Sequence, residues 1–321
     1  MLYSFVKIIA RLALPIYCRD LAINRKELLK HKGPLLLAVN HPNSFLDAII
    51  LCTLFDGTVY SLARGDAFKN KAAAKFLQLF KMFPVYRVSE GVENMEENYR
   101  TFDVCKNIFK KNGIVLIFSE GRCINEWHLR PLKKGTARLA ISSWEDGIDL
   151  KVLPVAINYS SFKKFGKNIK LFLGDMITRE NIDYKDTHGN AIKQFNETLK
   201  LQLNKYVFEI DSADKATLHK TFYVDQPVVK RILLFIPALI GLLVHAPLYY
   251  FLKWLGDYLI KEDGHGDSKL VALFFVCYPV FLITVSMLLY RFTQNWLSFL
   301  SIFLILPFTA WAFVQLKKQL D

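Results

Sequence analysis

A histidine and an aspartate with five residues between them lie in the run His41-Pro42-Asn43-Ser44-Phe45-Leu46-Asp47. An apolar stretch, 35–39, precedes the run and another, 48–51, follows it, so it reads as the turn between a strand and a helix. In such a turn His41 is a candidate general base toward a hydroxyl. Asp47 would hold the ring in the useful tautomer and stabilise its cation. A second reading of the same residues stands open. Ser44 and Asp47 have the spacing of a helix capping box, in which Asp47 satisfies backbone N–H groups where the helix begins.

A second group follows the apolar stretch 114–118 as Phe118-Ser119-Glu120-Gly121-Arg122. Gly121 permits a tight turn or a close approach to a ligand. Arg122 offers a planar donor fork suited to phosphate, and Ser119 adds a hydroxyl. Glu120 is placed to orient the arginine or to receive a substrate hydroxyl. Arg64 and Arg87 also follow apolar runs, and Lys133-Lys134 precede a helix, where lysines draw an anion to the N-terminus. Each group alone is equally a solvated basic surface. Their convergence on strand ends, beside His41, favours a site.

The elements that must position these residues alternate. Short apolar runs at 35–39, 59–63, 114–118, 152–157 and 169–173 read as buried strands. Helical patterns cover 46–55, 71–81, 92–111, 136–144 and 191–208. Strands alternating with helices predict an α/β fold with a mainly parallel sheet flanked by helices. Sites in such sheets gather at the carboxyl ends of the strands. The expected organisation is an N-terminal interfacial amphipathic helix over 1–22, a globular domain over 23–210, a linker over 211–228 and a C-terminal transmembrane bundle over 229–321. In the first helix Ser4, Lys7 and Arg11 share one face, expected to turn toward lipid headgroups. In the last region three apolar segments, 232–252, 271–290 and 297–314, have the length of membrane spans.

Composition agrees with a membrane-bound protein of anionic substrates. The chain of 321 residues is 52% hydrophobic and 14% aromatic and carries a formal charge of +13 at pH 7. That sign favours phosphate-bearing substrates or anionic headgroups. No nucleic-acid-binding pattern accompanies it. The five cysteines are scattered without metal-ligand spacing, which predicts a reducing compartment and no structural metal.

Taken together, these blocks resemble the glycerolipid acyltransferase superfamily, typified by bacterial lysophosphatidate acyltransferases. The likeness covers about residues 30–180. In that family an Asn-His followed by an aspartate forms the catalytic dyad, and Asn40-His41 and Asp47 hold that place here. Phe83-Pro84-Val85-Tyr86-Arg87, Phe118-Ser119-Glu120-Gly121-Arg122 with Lys134-Gly135, and Val152-Leu153-Pro154-Val155-Ala156-Ile157 resemble the later blocks in order. Ser119 stands where proline is more common. The family spacing is His-x4-Asp; the additional residue here resembles a branch that includes fungal glycerol-3-phosphate acyltransferases.

The resemblance implies a membrane-bound O-acyltransferase of phospholipid biosynthesis; the scattered cysteines and the Lys230-Arg231 pair flanking the first apolar segment predict its catalytic domain on the cytoplasmic side. It would move an acyl group from acyl-CoA or an acyl-carrier protein, as co-substrate, to a hydroxyl of lysophosphatidate or glycerol 3-phosphate. His41 and Asp47 would be catalytic. Arg87, Ser119, Glu120, Gly121, Arg122 and Lys134 would bind substrate, with no metal or bound cofactor. Backbone N–H groups near the dyad or at Gly121 are the expected donors to the oxyanion. Another lysolipid or aminolipid acceptor, or a non-catalytic lipid-binding role, are the alternatives.

Overall fold

The computed structural model describes residues 2–86, 95–183, 187–259 and 266–319. Seven strands form one sheet: β1 (Cys18–Ile23), β2 (Leu35–Val39), β3 (Val59–Arg64), β4 (Met82–Val85), β5 (Ile114–Phe118), β6 (Lys151–Tyr159) and β7 (Lys167–Leu173). Their order is β1-β7-β6-β2-β5-β3-β4. β2 runs parallel to both β5 and β6, and β3 runs parallel to β4 and β5.

The central strand explains its own position. All five residues of β2, Leu-Leu-Leu-Ala-Val, are apolar and buried, as a parallel strand covered on both faces requires. The pleat sends alternate residues to opposite faces. Leu36 and Ala38 enter a core with Cys105 and Phe109 of α4 (Met95–Lys110), Ala137 and Ile141 of α5 (Lys134–Glu145), and Phe195 and Leu199 of α6 (His188–Asn204). Leu35, Leu37 and Val39 are buried too, as are Leu46, Ile50 and Leu51 of α2 (Phe45–Leu54).

Two strands escaped the sequence reading. β1 has a mixed composition, and β4 contains Pro84. β4 lies at the end of the strand order, where a residue without an N–H is tolerated. The helix α3 (Lys71–Leu79) begins at Asn70, whose side chain accepts from the backbone N–H groups of Ala72 and Ala73.

The N-terminal helix α1 (Leu2–Tyr17) forms as expected, but its basic face is turned the other way. Lys7 Nζ donates to the carbonyls of Phe55, Asp56 (3.1 Å) and Gly57 (2.8 Å). Arg11 Nε donates to Thr53 O at 2.7 Å. These carbonyls lie at the C-terminal end of α2, which carries partial negative charge and orphan acceptors. That need outbids headgroups for the cations. Leu2, Phe5, Ile8 and Leu12 are left exposed.

The chain divides into two compact units. The first comprises Met1–Arg11, Ala22–Asn158 and Lys170–Ala213; the second comprises Leu12–Leu21, Tyr159–Ile169 and Asp214–Asp321. The second holds a short helix, α7 (Lys215–Phe222), within the expected linker. It also holds three long helices, α8 (Val228–Leu259), α9 (Gly266–Thr293) and α10 (Trp296–Leu316). All three are long and apolar enough to cross a membrane, and the chain is a multi-pass membrane protein. α8 and α10 approach closely at Gly241, where an added Cβ would lie 2.1 Å from Thr309 O. Small residues permit such packing where no hydrophobic effect drives it.

Candidate active site

The register of the sheet gathers the candidate residues. Val39 is level with Phe118 across parallel β2 and β5, and Arg64 is level with Val85 across β3 and β4. The segments beginning at Asn40, Ser119, Gly65 and Tyr86 therefore all leave from the carboxyl edge of the sheet, where α/β sites form. Arg87 lies outside the described residues. Asn40 fastens this edge: its side chain donates to Ile157 O (3.1 Å) and accepts from Ile157 N–H (2.8 Å).

His41 and Asp47 meet directly. His41 Nδ1 lies 2.9 Å from Asp47 Oδ2, and the same oxygen accepts the Asn43 N–H at 2.9 Å. Asp47 is sealed, whereas the His41 side chain keeps 15% of its surface. The imidazole stacks on Phe118, with centroids 3.7 Å apart and planes 10° from parallel. The ring is thus held along one edge by the carboxylate and on one face by the phenyl.

The capping-box reading fails in its details. Ser44 is the N-cap of α2, but its side chain makes no capping bond. Asp47 reaches back to Asn43, one residue before the cap, and to the ring. Ser44 adopts φ 56°, a conformation costly for a side chain with a Cβ. Its N–H donates to Cys123 Sγ at 2.9 Å.

Glu120 holds the turn from the other side. Its Oε2 accepts the His41 N–H at 3.2 Å, and its Oε1 accepts the Arg130 N–H at 3.3 Å. Burial pushes this carboxyl up to about 7, and the nearby Asp47 charge adds to the rise; the two backbone N–H groups oppose it. Gly121 has φ +65°, the left-handed region, and a Cβ there would lie 3.0 Å from Lys133 Cγ. Its N–H donates to Phe118 O at 3.1 Å, so the Gly121 N–H is already engaged and is not a ready oxyanion donor.

The remaining residues divide between scaffold and rim. Ser119 is buried; its hydroxyl accepts from Thr136 Oγ1 at 3.0 Å, and its carbonyl accepts the Lys133 N–H at 2.8 Å. Arg64 is paired with Asp66, and Arg130 with Glu126 at 2.6 Å. Arg122 is exposed and has no ion-pair partner among the described residues. Lys134 opens α5 and is exposed as well. The sequence reading missed Asn43, Thr136 and Cys123. They meet Asp47, Ser119 and the Ser44 N–H through hydrogen bonds between distant or irregular positions, contacts with no periodic signature. Among the described residues, no three His, Cys, Asp or Glu side chains cluster to hold a metal.

Residues 20–158 match the family model described as Acyltransferase. The crystal structure of the 1-acyl-sn-glycerophosphate (LPA) acyltransferase PlsC from Thermotoga maritima is similar, with a TM-score of 0.46 and 14% sequence identity over 65% of this chain and 81% of that chain. No curated protein matches the chain. The matched segment contains His41, Asp47 and Glu120.

Proposed function

We propose that the acyl group passes from a thioester to a hydroxyl of a glycerol-phosphate acceptor, lysophosphatidate or glycerol 3-phosphate. The observation that carries this reading is the His41–Asp47 contact on an imidazole that is not fully buried. With Nδ1 donating to Asp47, Nε2 is the basic nitrogen. It takes the proton of the acceptor hydroxyl as that oxygen attacks the thioester carbonyl carbon. The tetrahedral intermediate then breaks its C–S bond. The thiolate leaves with the proton from His41, and the new ester remains on the acceptor. The substrate hydroxyl is itself the nucleophile, so no acyl-enzyme intervenes.

The residues around the dyad take distinct parts in this scheme. Arg122, exposed and without an acidic partner, receives the acceptor phosphate as a planar donor fork. Arg87 joins it on the sequence resemblance alone. Ser119, Glu120 and Gly121 hold the loop that presents these groups, and Glu120 fixes the His41 backbone as well. The exposed apolar face of α1 seats in the membrane interface, so that lipid acceptor and product need not cross water. The domain faces the cytoplasm, where its three cysteines, Cys52, Cys105 and Cys123, stay reduced.

The test is a panel of acceptors offered to the reconstituted protein with a labelled acyl thioester. Lysophosphatidate or glycerol 3-phosphate should be acylated fastest, and Arg122→Ala should raise the acceptor KM about tenfold. A lysolipid or aminolipid without phosphate as the best acceptor would overturn the assigned role of Arg122.

A further inference from the structure

Beside the strand-end loop an open groove of about 510 Å³ runs between the start of α5 and the length of α6. Gly189 and Lys200 both line it, so at 1.5 Å per residue it follows α6 for about 16 Å. Three lysines, Lys134, Lys193 and Lys200, face it, with Glu197 the one acid on the lining. None of the three lysines has an ion-pair partner among the described residues. Leu132 and Ile192 give it an apolar floor. Asn196 also lines it, and its amide oxygen is shut off from solvent with no hydrogen-bond partner among the described residues.

The near end of the groove is tied to the dyad through named contacts. Lys134 follows Lys133, whose N–H donates to Ser119 O at 2.8 Å and whose side chain packs against Gly121. Glu120, between Ser119 and Gly121, accepts the His41 N–H. A ligand lying along α6 therefore has one end beside the loop that carries the catalytic turn.

We propose that this groove holds the phosphate-bearing nucleotide portion of a coenzyme A thioester, directing the acyl end toward His41. The proposal rests on the acyltransferase reading of the dyad and locates its donor. Lysines lining the groove supply charge to phosphates, and the apolar floor accepts a flat base or a pantetheine arm. The concave shape and small-molecule volume favour coenzyme A over the broad acidic face of a carrier protein.

The test uses full-length protein in detergent with Lys193 and Lys200 both changed to Glu. Free coenzyme A binding, read by equilibrium dialysis, should weaken at least tenfold, and the KM for acyl-CoA should rise by a similar factor. The KM for the same acyl group on N-acetylcysteamine, which has no phosphate, should stay within twofold, as should the acceptor KM. Changing both lysines to Arg should restore coenzyme A binding. Unchanged coenzyme A affinity in the Glu variant would overturn the proposal. So would a rise confined to the acceptor KM, which would give the groove to an anionic lipid. Wild-type protein that binds coenzyme A through these lysines yet transfers no acyl group would sustain the groove and sink the acyltransfer reading.

Discussion

Two buried aspartates in this protein face a basic group, and they do so to opposite ends. Asp47 in the first unit contacts His41 at 2.9 Å, with side-chain exposures of 0% and 15%. Asp267, in the second unit at the start of α9, is paired with Lys167, with exposures of 1% and 0%. Tyr17 also donates to Asp267 Oδ2 at 2.6 Å, and Lys167 Nζ lies over the rings of Tyr17 and Tyr159 at 5.1 and 5.6 Å. The second cluster is closed on every side, so its charges can do nothing but satisfy one another. The first leaves part of the ring uncovered and pairs the carboxylate with an imidazole rather than an ammonium. Exposure of one partner, rather than the ion-pair geometry, separates a site from a fastening.

That contrast can be broken by substitution. The largest effect should come from Lys167→Met, which leaves Asp267 buried without its cation. Removing one partner of a buried pair costs about 3–5 kcal/mol, so thermal unfolding in detergent should shift sharply downward. Activity per folded molecule should be kept. Adding Asp267→Leu should recover a large part of the loss, because an apolar pair of similar volume is often neutral. If Lys167→Met unfolds at the wild-type temperature, the cluster is not a fastening.

Asp47→Asn should act in the reverse sense. The amide keeps the volume and can still accept the Asn43 N–H, but it no longer stabilises an imidazolium or enforces the tautomer. We expect kcat to fall roughly 10²-fold with little change in unfolding temperature. An Asp47→Asn protein with wild-type kcat would reduce Asp47 to a structural residue like Asp267.

Glu120→Gln is the smallest and most pH-dependent change. The folded carboxyl titrates near 7 against 4.5 for an ordinary glutamate, raised chiefly by burial. Between those values the folded protein holds a proton that the unfolded chain has released. Its contribution is therefore full below pH 4.5 and is lost as pH rises through 7. Wild-type stability relative to Glu120→Gln should fall between pH 5 and pH 8, measured by unfolding at each pH. A difference that does not move with pH would place Glu120 in a less buried setting than the structure gives it.

Much of this architecture is legible in the residues because burial leaves a pattern. β2 and β5 coincide with their apolar runs, since central parallel strands are apolar throughout. The three membrane helices announce themselves by length and composition. What escaped depends on long-range partners. The phase of the amphipathic α1 is visible, but its orientation follows from carbonyls at the end of α2 that claim Lys7 and Arg11. Asp47 matched a capping box by spacing, yet its partners are His41 and Asn43. Glu120 reads as a ligand for substrate, whereas both its oxygens accept backbone N–H groups of the turn and loop. Residue type and spacing identify which groups are available for chemistry; only the fold tells which of their hydrogen bonds are already made.

The central claim is that His41 is the base for acyl transfer. Purified full-length protein in vesicles, supplied with labelled acyl thioester and a glycerol-phosphate acceptor, should form the ester product. In His41→Ala that rate should drop by about 10³-fold or more, while the unfolding temperature stays close to wild type. Transfer by His41→Ala at the wild-type rate would contradict the account.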